Sequence, residues 1–294
     1  MNIDRDELSD IVALLDDGDT VVAECIDRRL KSFGPSVVRS LIYCAASERA
    51  PKTKSAIEDK ASRLNTEFRL ADLQKLLETR QRGISLFEGS FIICSLMDYR
   101  LQRQTYEDLF FKCSAQYVGE VSDQRTGVEN VEIFNHIFFN RLGFTLYDVE
   151  LGRSEYSLVS DVLRSRKGNP FALALIYIMM ARDAGIPLGA LCFPGGFLPV
   201  YIENGRELFY VNVFRGGDII IKDNLLRSIK VTGIDLKMDS FKIQDEAAIL
   251  GIYTESLLIA RSRHGETRAT ASLEKALSLF GPTRYLSADP DDSE

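Results

Sequence analysis

Histidine is scarce in this sequence. Its 294 residues contain two, His136 and His264, and neither has a second ligand-type residue at metal spacing. No structural zinc site is therefore expected, and no cofactor is implied. Long apolar runs are missing too. The longest, residues 171–181, falls well short of the ~20 residues that a membrane-crossing helix needs. The first ten residues, MNIDRDELSD, are acidic and polar, so no secretory leader is expected there. Positive charge is not in excess either. With 36 Lys and Arg against 43 Asp and Glu the formal charge is −7, which argues against nucleic acid or an anionic membrane as partner. The short basic cluster Arg164-Ser165-Arg166-Lys167 reads as a solvated helix end. Five cysteines (Cys25, Cys44, Cys94, Cys113, Cys192) are odd in number, far apart and embedded in apolar surroundings. That is the pattern of reduced, buried thiols in a cytoplasmic protein and not of a disulfide framework.

What is present is the balance of a soluble globular chain, 45% apolar and 27% charged, long enough for two ordinary domains. The first third reads as helices. Thr20 can cap a helix whose apolar positions Val22, Cys25, Ile26, Leu30 and Phe33 follow the 3.6 period, and Gly34-Pro35 stops it. Ser36 opens another, with Val38, Leu41, Ile42 and Ala45 on one face. The unit looks like a single HEAT-type helical repeat. Further helices are predicted at 54–65, 70–79, 85–100, 105–118 and 128–142, with Gln124-Arg125-Thr126-Gly127 as the best internal break. Strands are predicted at 188–193, 198–203 and 206–213, the last two joined by an Asn204-Gly205 hairpin turn. A helix pair at about 245–263 and 267–280, hinged at His264-Gly265, precedes the acidic tail SADPDDSE, which reads as disordered. The expected division is a helical region 1–124, a core 125–240, a helix pair 241–284 and a tail 285–294.

The segment GNPFALALIYIMMARDAGIP, residues 168–187, is the best-defined element. Asn169 is a good N-cap, Pro170 a good first helical residue, and Ala184-Gly185-Ile186-Pro187 a clear stop. Nearly every residue between them is apolar, so the helix is expected to be buried on most of its circumference. Around it, in order, come Asn135-His136-Ile137-Phe138-Phe139, Leu142-Gly143-Phe144, Leu163-Arg164-Ser165-Arg166-Lys167, Phe193-Pro194-Gly195-Gly196-Phe197-Leu198 and Asn212-Val213-Phe214-Arg215-Gly216-Gly217. This order and spacing, from about residue 7 to about 280, resembles the transglutaminase-like superfamily, and within it the bacterial SirB-type group. The resemblance implies an α+β fold. An N-terminal α-helical, HEAT-like region packs on a transglutaminase-like (cysteine-proteinase-like) helix plus antiparallel sheet core, closed by a tetratricopeptide-like C-terminal helix pair.

The resemblance also implies where chemistry would sit. A superfamily cysteine in the first turn of the buried helix attacks an amide carbonyl, a histidine on the next strand is the base, and an aspartate on the strand after orients it. The nucleophile slot falls at Asn169, Pro170 or Phe171. The usual histidine is Gly196 and the usual aspartate is Asn212. With Pro170 taken for the first slot, the vacated positions are Pro170, Gly196 and Asn212.

Cys192 lies four residues before the vacated histidine position, so one reading makes it a relocated nucleophile with His136 as base. The other makes it a core-facing strand residue without the helix N-terminus that would lower its pKa. Asn135, His136, Asn169, Asn212 and Arg215 could line a polar binding pocket, or they could satisfy backbone groups. The pairs Gly195-Gly196 and Gly216-Gly217 lack the flanking strand, helix and lysine of a phosphate loop. Glu203 and Glu207 flank the hairpin as solvated residues. The function expected is that of a non-catalytic module binding a protein or peptide. The alternatives are a cysteine protease or transglutaminase-type acyltransferase using Cys192, and a purely structural helical adaptor.

Overall fold

The computed structural model describes residues 5–15, 19–147, 156–193, 196–231, 242–263 and 267–281. The tail 285–294, the hinge at His264-Gly265 and Pro194-Gly195 of the expected turn lie outside the described residues.

The chain begins with helices α1 (Arg5–Ala13), α2 (Thr20–Ser32) and α3 (Ser36–Ser47). Asp19, not Thr20, caps α2, its carboxylate accepting from Val21 N at 2.7 Å. Where two helices at 54–65 and 70–79 were expected there is one, α4 (Pro51–Glu78), with Pro51 in its first turn. No glycine or proline between 52 and 78 interrupts it. The expected break at 66–69 reflects a change of partner. Ile57, Ala61 and Leu64 pack with Leu8, Leu30, Val37 and Leu41, whereas Leu73 packs with the rest of the protein. The apolar stripe therefore shifts from one core to another along a continuous helix.

Next come α5 (Leu86–Met97), α6 (Arg103–Ser114) and α7 (Gly127–Asn135). Thr126 and Glu129 form a reciprocal capping box at the start of α7. The helix expected to reach 142 changes pitch at Asn135, and His136–Arg141 form a π-helical turn. A two-residue parallel pair, β1 (Thr145–Leu146) and β2 (Lys167–Gly168), brackets α8 (Val159–Ser165). The central helix α9 (Pro170–Asp183) follows.

The strands β3 (Leu188–Phe193), β4 (Gly196–Glu203), β5 (Arg206–Asn212), β6 (Asp218–Ile220) and β7 (Lys242–Gln244) form one antiparallel sheet in the order β6-β5-β4-β3-β7. Asn204 (φ 50°) and Gly205 (φ 73°) make the hairpin turn, both in the left-handed region that a tight two-residue loop demands. Leu188, Ala190, Cys192, Phe197, Tyr201, Phe209 and Val211 lie on the sheet face against α9. Leu191, Leu198, Val200 and Tyr210 pack on the other face with Leu225 of α10 (Lys222–Val231). Burial on both faces explains why β3 and β4 are nearly continuous apolar runs. The helix pair α11 (Glu246–Arg263) and α12 (Thr267–Leu279) packs against α5 and, through α12, against α4.

The fold is α+β, with helices surrounding one antiparallel sheet. Residues from Leu8 to Leu64 form a small core, while α5 and α6 bury Phe91, Ile93, Tyr106 and Phe110 in the main core with α9 and α11.

Candidate functional site

Asn169 ends the turn before α9 in an extended conformation, and its amide oxygen accepts from Ala172 N at 2.9 Å. Its amide nitrogen donates to Ser157 Oγ at 3.2 Å, and its backbone N–H donates to Tyr156 O at 2.7 Å. All three bonds are buried or local, and Asn169 is 6% exposed. The side chain is thus used as a cap. Asn169→Ala is expected to lower stability by about 1–2 kcal/mol, read from the urea midpoint, while Asn169→Asp, which keeps the acceptor, should recover most of it.

The first turn of α9 faces the start of β4 through Phe171. A Cβ placed on Gly196 would lie 3.6 Å from Phe171 Cε1 and 3.6 Å from Phe193 Cζ, ordinary van der Waals contact. Of Asn169, Pro170 and Phe171, it is therefore Phe171 that stands opposite Gly196. Two aromatic rings converge there on a residue without a side chain.

Asn212 closes β5, and its side-chain oxygen accepts from Phe214 N at 3.1 Å while its carbonyl accepts from Gly217 N at 2.9 Å. Asn135 lies across from this turn. Its Nδ2 donates to Gly217 O at 2.8 Å and its Oδ1 accepts from Tyr177 OH at 2.6 Å. Sequence reasoning missed Tyr177 and Gly217. A single hydroxyl in the otherwise aliphatic run 172–181 was the available signal, because a buried phenol needs a partner. Arg215 is exposed on the same turn.

Cys192 and His136 do not meet. Cys192 is 1% exposed on the α9 face of the sheet, and burial, followed by the Asp245 carboxylate, pushes its thiol up to about 12. His136 is exposed, with Nδ1 3.0 Å from Asn140 Nδ2, beside Glu132, Ile133 and Arg141 on a surface groove of about 450 Å³. Among the described residues no group of three or more His, Cys, Asp or Glu side chains could hold a metal ion. No described helix is long and apolar enough to cross a membrane.

A family profile described as "Transglutaminase-like superfamily" matches residues 103–254, just over half of the chain. The chain belongs to the transglutaminase-like superfamily. The matched region runs from α6 through the sheet into α11, so this transglutaminase-like unit includes helices on both sides of α9. Its relatives include a UPF0162 protein of Xylella fastidiosa (strain 9a5c), 30% identical over 113 residues, which are 36% of this chain and 40% of that protein. Another, from Vibrio cholerae serotype O1, is 28% identical over 145 residues, 48% of this chain and 53% of that protein. The chain thus spans about half or less of the length of these relatives. A solved structure of menin superposes with a TM-score of 0.45 and 11% identity, covering 74% of this chain and 58% of that one.

Proposed function

We propose that this transglutaminase-like protein is a non-catalytic member of the SirB-type group and works in the cytoplasm as a protein- or peptide-binding module. The observation that carries this reading is the pairing of Phe171 with Gly196. At the helix start where the superfamily resemblance calls for a thiol stands a phenyl ring, and opposite it, where a base is called for, there is no side chain. The third position, Asn212, spends its side-chain oxygen on a turn. Asn135 and Asn169 are likewise tied to neighbouring groups, which leaves Arg215 and His136 as the exposed members of the candidate set. In this reading the helical region 1–124 and the helix pair 241–284 offer the partner surfaces, and the transglutaminase-like core is their platform.

The competing acyltransfer or protease chemistry needs a thiolate at Cys192, and burial opposes one. Iodoacetamide labelling of the native protein from pH 6 to 9, read by mass spectrometry at each cysteine, tests this directly. Cys192 is expected to stay unlabelled until urea unfolds the chain. Transfer of a fluorescent primary amine onto casein should equal the background without protein. Rapid labelling of Cys192 at pH 7, or amine transfer lost in Cys192→Ser, would overturn the non-catalytic reading.

A further inference from the structure

The loop between the middle strand of the sheet and its neighbour sets a side-chain amide next to an unhindered backbone nitrogen. Asn204 and Gly205 alone link β4 to β5, with Glu203 paired to Arg206 at the closed end. Both loop residues are exposed. Neither the side-chain amide of Asn204 nor the N–H of Gly205 makes a hydrogen bond among the described residues. A Cβ built on Gly205 would meet nothing within 4 Å, so no neighbouring group shields its nitrogen.

Other asparagines are placed differently. Asn65, Asn130, Asn135, Asn140, Asn169 and Asn212 each engage their amide with a partner. No asparagine except Asn204 is followed by glycine, the residue whose nitrogen carries no flanking side chain.

We infer that Asn204 is a site of spontaneous deamidation through a succinimide formed with Gly205. Base removes the Gly205 amide proton, and the nitrogen attacks Cγ of Asn204. An N–C bond closes a five-membered ring, the Cγ–Nδ2 bond breaks, and ammonia leaves. The attack is intramolecular, so proximity stands in for a second reactant. Water then opens the ring. Cleavage at Cγ restores the main chain with an aspartate at 204, and cleavage at the main-chain carbonyl leaves isoaspartate. Water is the one co-reactant.

The two products act differently on the hairpin. Aspartate tolerates the positive φ of the first loop position, so that product keeps the turn and adds a negative charge between Glu203 and Glu207. Isoaspartate lengthens the main chain by a methylene, for which a two-residue loop has no slack. It opens the pairing of Glu203 with Arg206 and presents a free α-carboxylate at an exposed turn. That carboxylate is the group a carboxyl methyltransferase takes as substrate. The site is independent of the binding-module reading.

The test holds the full-length protein at neutral to alkaline pH beside a synthetic peptide of residues 201–208. Digests are read by mass spectrometry, and isoaspartate by methyl transfer from S-adenosylmethionine with an isoaspartyl methyltransferase. The fragment containing Asn204 should gain the mass of an amide turned to an acid, faster at higher pH. It should separate into two products, one of which accepts methyl groups. Asn204→Gly, which keeps the positive φ accessible, should lose both signals with an unchanged circular dichroism spectrum. Asp17-Gly18 can also yield isoaspartate, but on another fragment and without a change of mass. No conversion in the folded protein after the free peptide has converted would overturn the inference, because the turn then holds Cγ away from the nitrogen. A rate that does not rise with pH would replace the succinimide by direct hydrolysis and overturn it too. An equal mass gain at Asn65 or Asn212 would refute the selectivity for this loop.

Discussion

Gly217→Ala is expected to lower the unfolding free energy by about 2–5 kcal/mol in urea titrations. Gly217 has φ 88°, a conformation that costs a residue with a Cβ about 1–2 kcal/mol. The added Cβ would also land on the side-chain amide of Asn135, well inside van der Waals contact. That amide cannot swing away freely, because it is held at one end by Gly217 O and at the other by the hydroxyl of Tyr177, which is 0% exposed. Moving it strands a buried phenol, at about 1–3 kcal/mol. The two contributions separate in a double-mutant cycle. In an Asn135→Ala background the obstruction is gone, so Gly217→Ala should cost only the backbone contribution of about 1–2 kcal/mol. Strict additivity of the two substitutions would refute the obstruction and leave the backbone as the whole effect.

Phe138→Ala should be as damaging, by about 3–5 kcal/mol on the same measurement. Phe138 is fully buried in the π-helical turn and stacks on Phe144 with centroids 4.4 Å apart. Tyr177 meets it edge-on at 5.0 Å, and Phe134 lies at 6.0 Å. Phe144 N–H donates to Phe138 O at 3.1 Å, so ring and backbone hold the same corner. Truncation leaves a cavity between α7 and α9 walled by other rings, which are too rigid to close it. Phe138→Leu fills part of that space and should cost about 1–2 kcal/mol. A loss below about 1 kcal/mol for the alanine variant would mean that the π turn relaxes to an ordinary helix and refills the gap.

The parts of the fold written in short-range chemistry were the readable ones. Asn169-Pro170 and Ala184-Gly185-Ile186-Pro187 bracket α9 as expected, and Asn204-Gly205 makes the hairpin, because caps and turns depend on the residues that form them. The strands β6 and β7 were not anticipated. Each has three residues, too few for an alternation to register, and each exists because a longer neighbour offers it a ladder. The division of α4 into two predicted helices has the same origin, since its two halves answer to different cores. At the candidate site, Asn169, Pro170, Phe171, Gly196 and Asn212 could be singled out from the sequence, by resemblance. That Phe171 and not Pro170 faces Gly196 could not, because it depends on how the first turn of α9 is rotated over the sheet. Cys192 became a candidate because it lies four residues before Gly196 in the chain, but its burial and the exposure of His136 depend on packing between distant elements.

The shared helix α4 has a mechanical consequence. Its 28 residues make a rod of roughly 42 Å, anchored at one end among α1 to α3 and at the other under α5 and α12. A proline or glycine near its middle would have provided a weak joint, and none is there. A load applied to the N-terminal helices, such as a partner pulling on them, therefore travels as axial force and torque into α5 and α12, and through them into α9 and α11, which pack on the sheet. The N-terminal helices behave as a handle on the transglutaminase-like core and not as a tethered appendage.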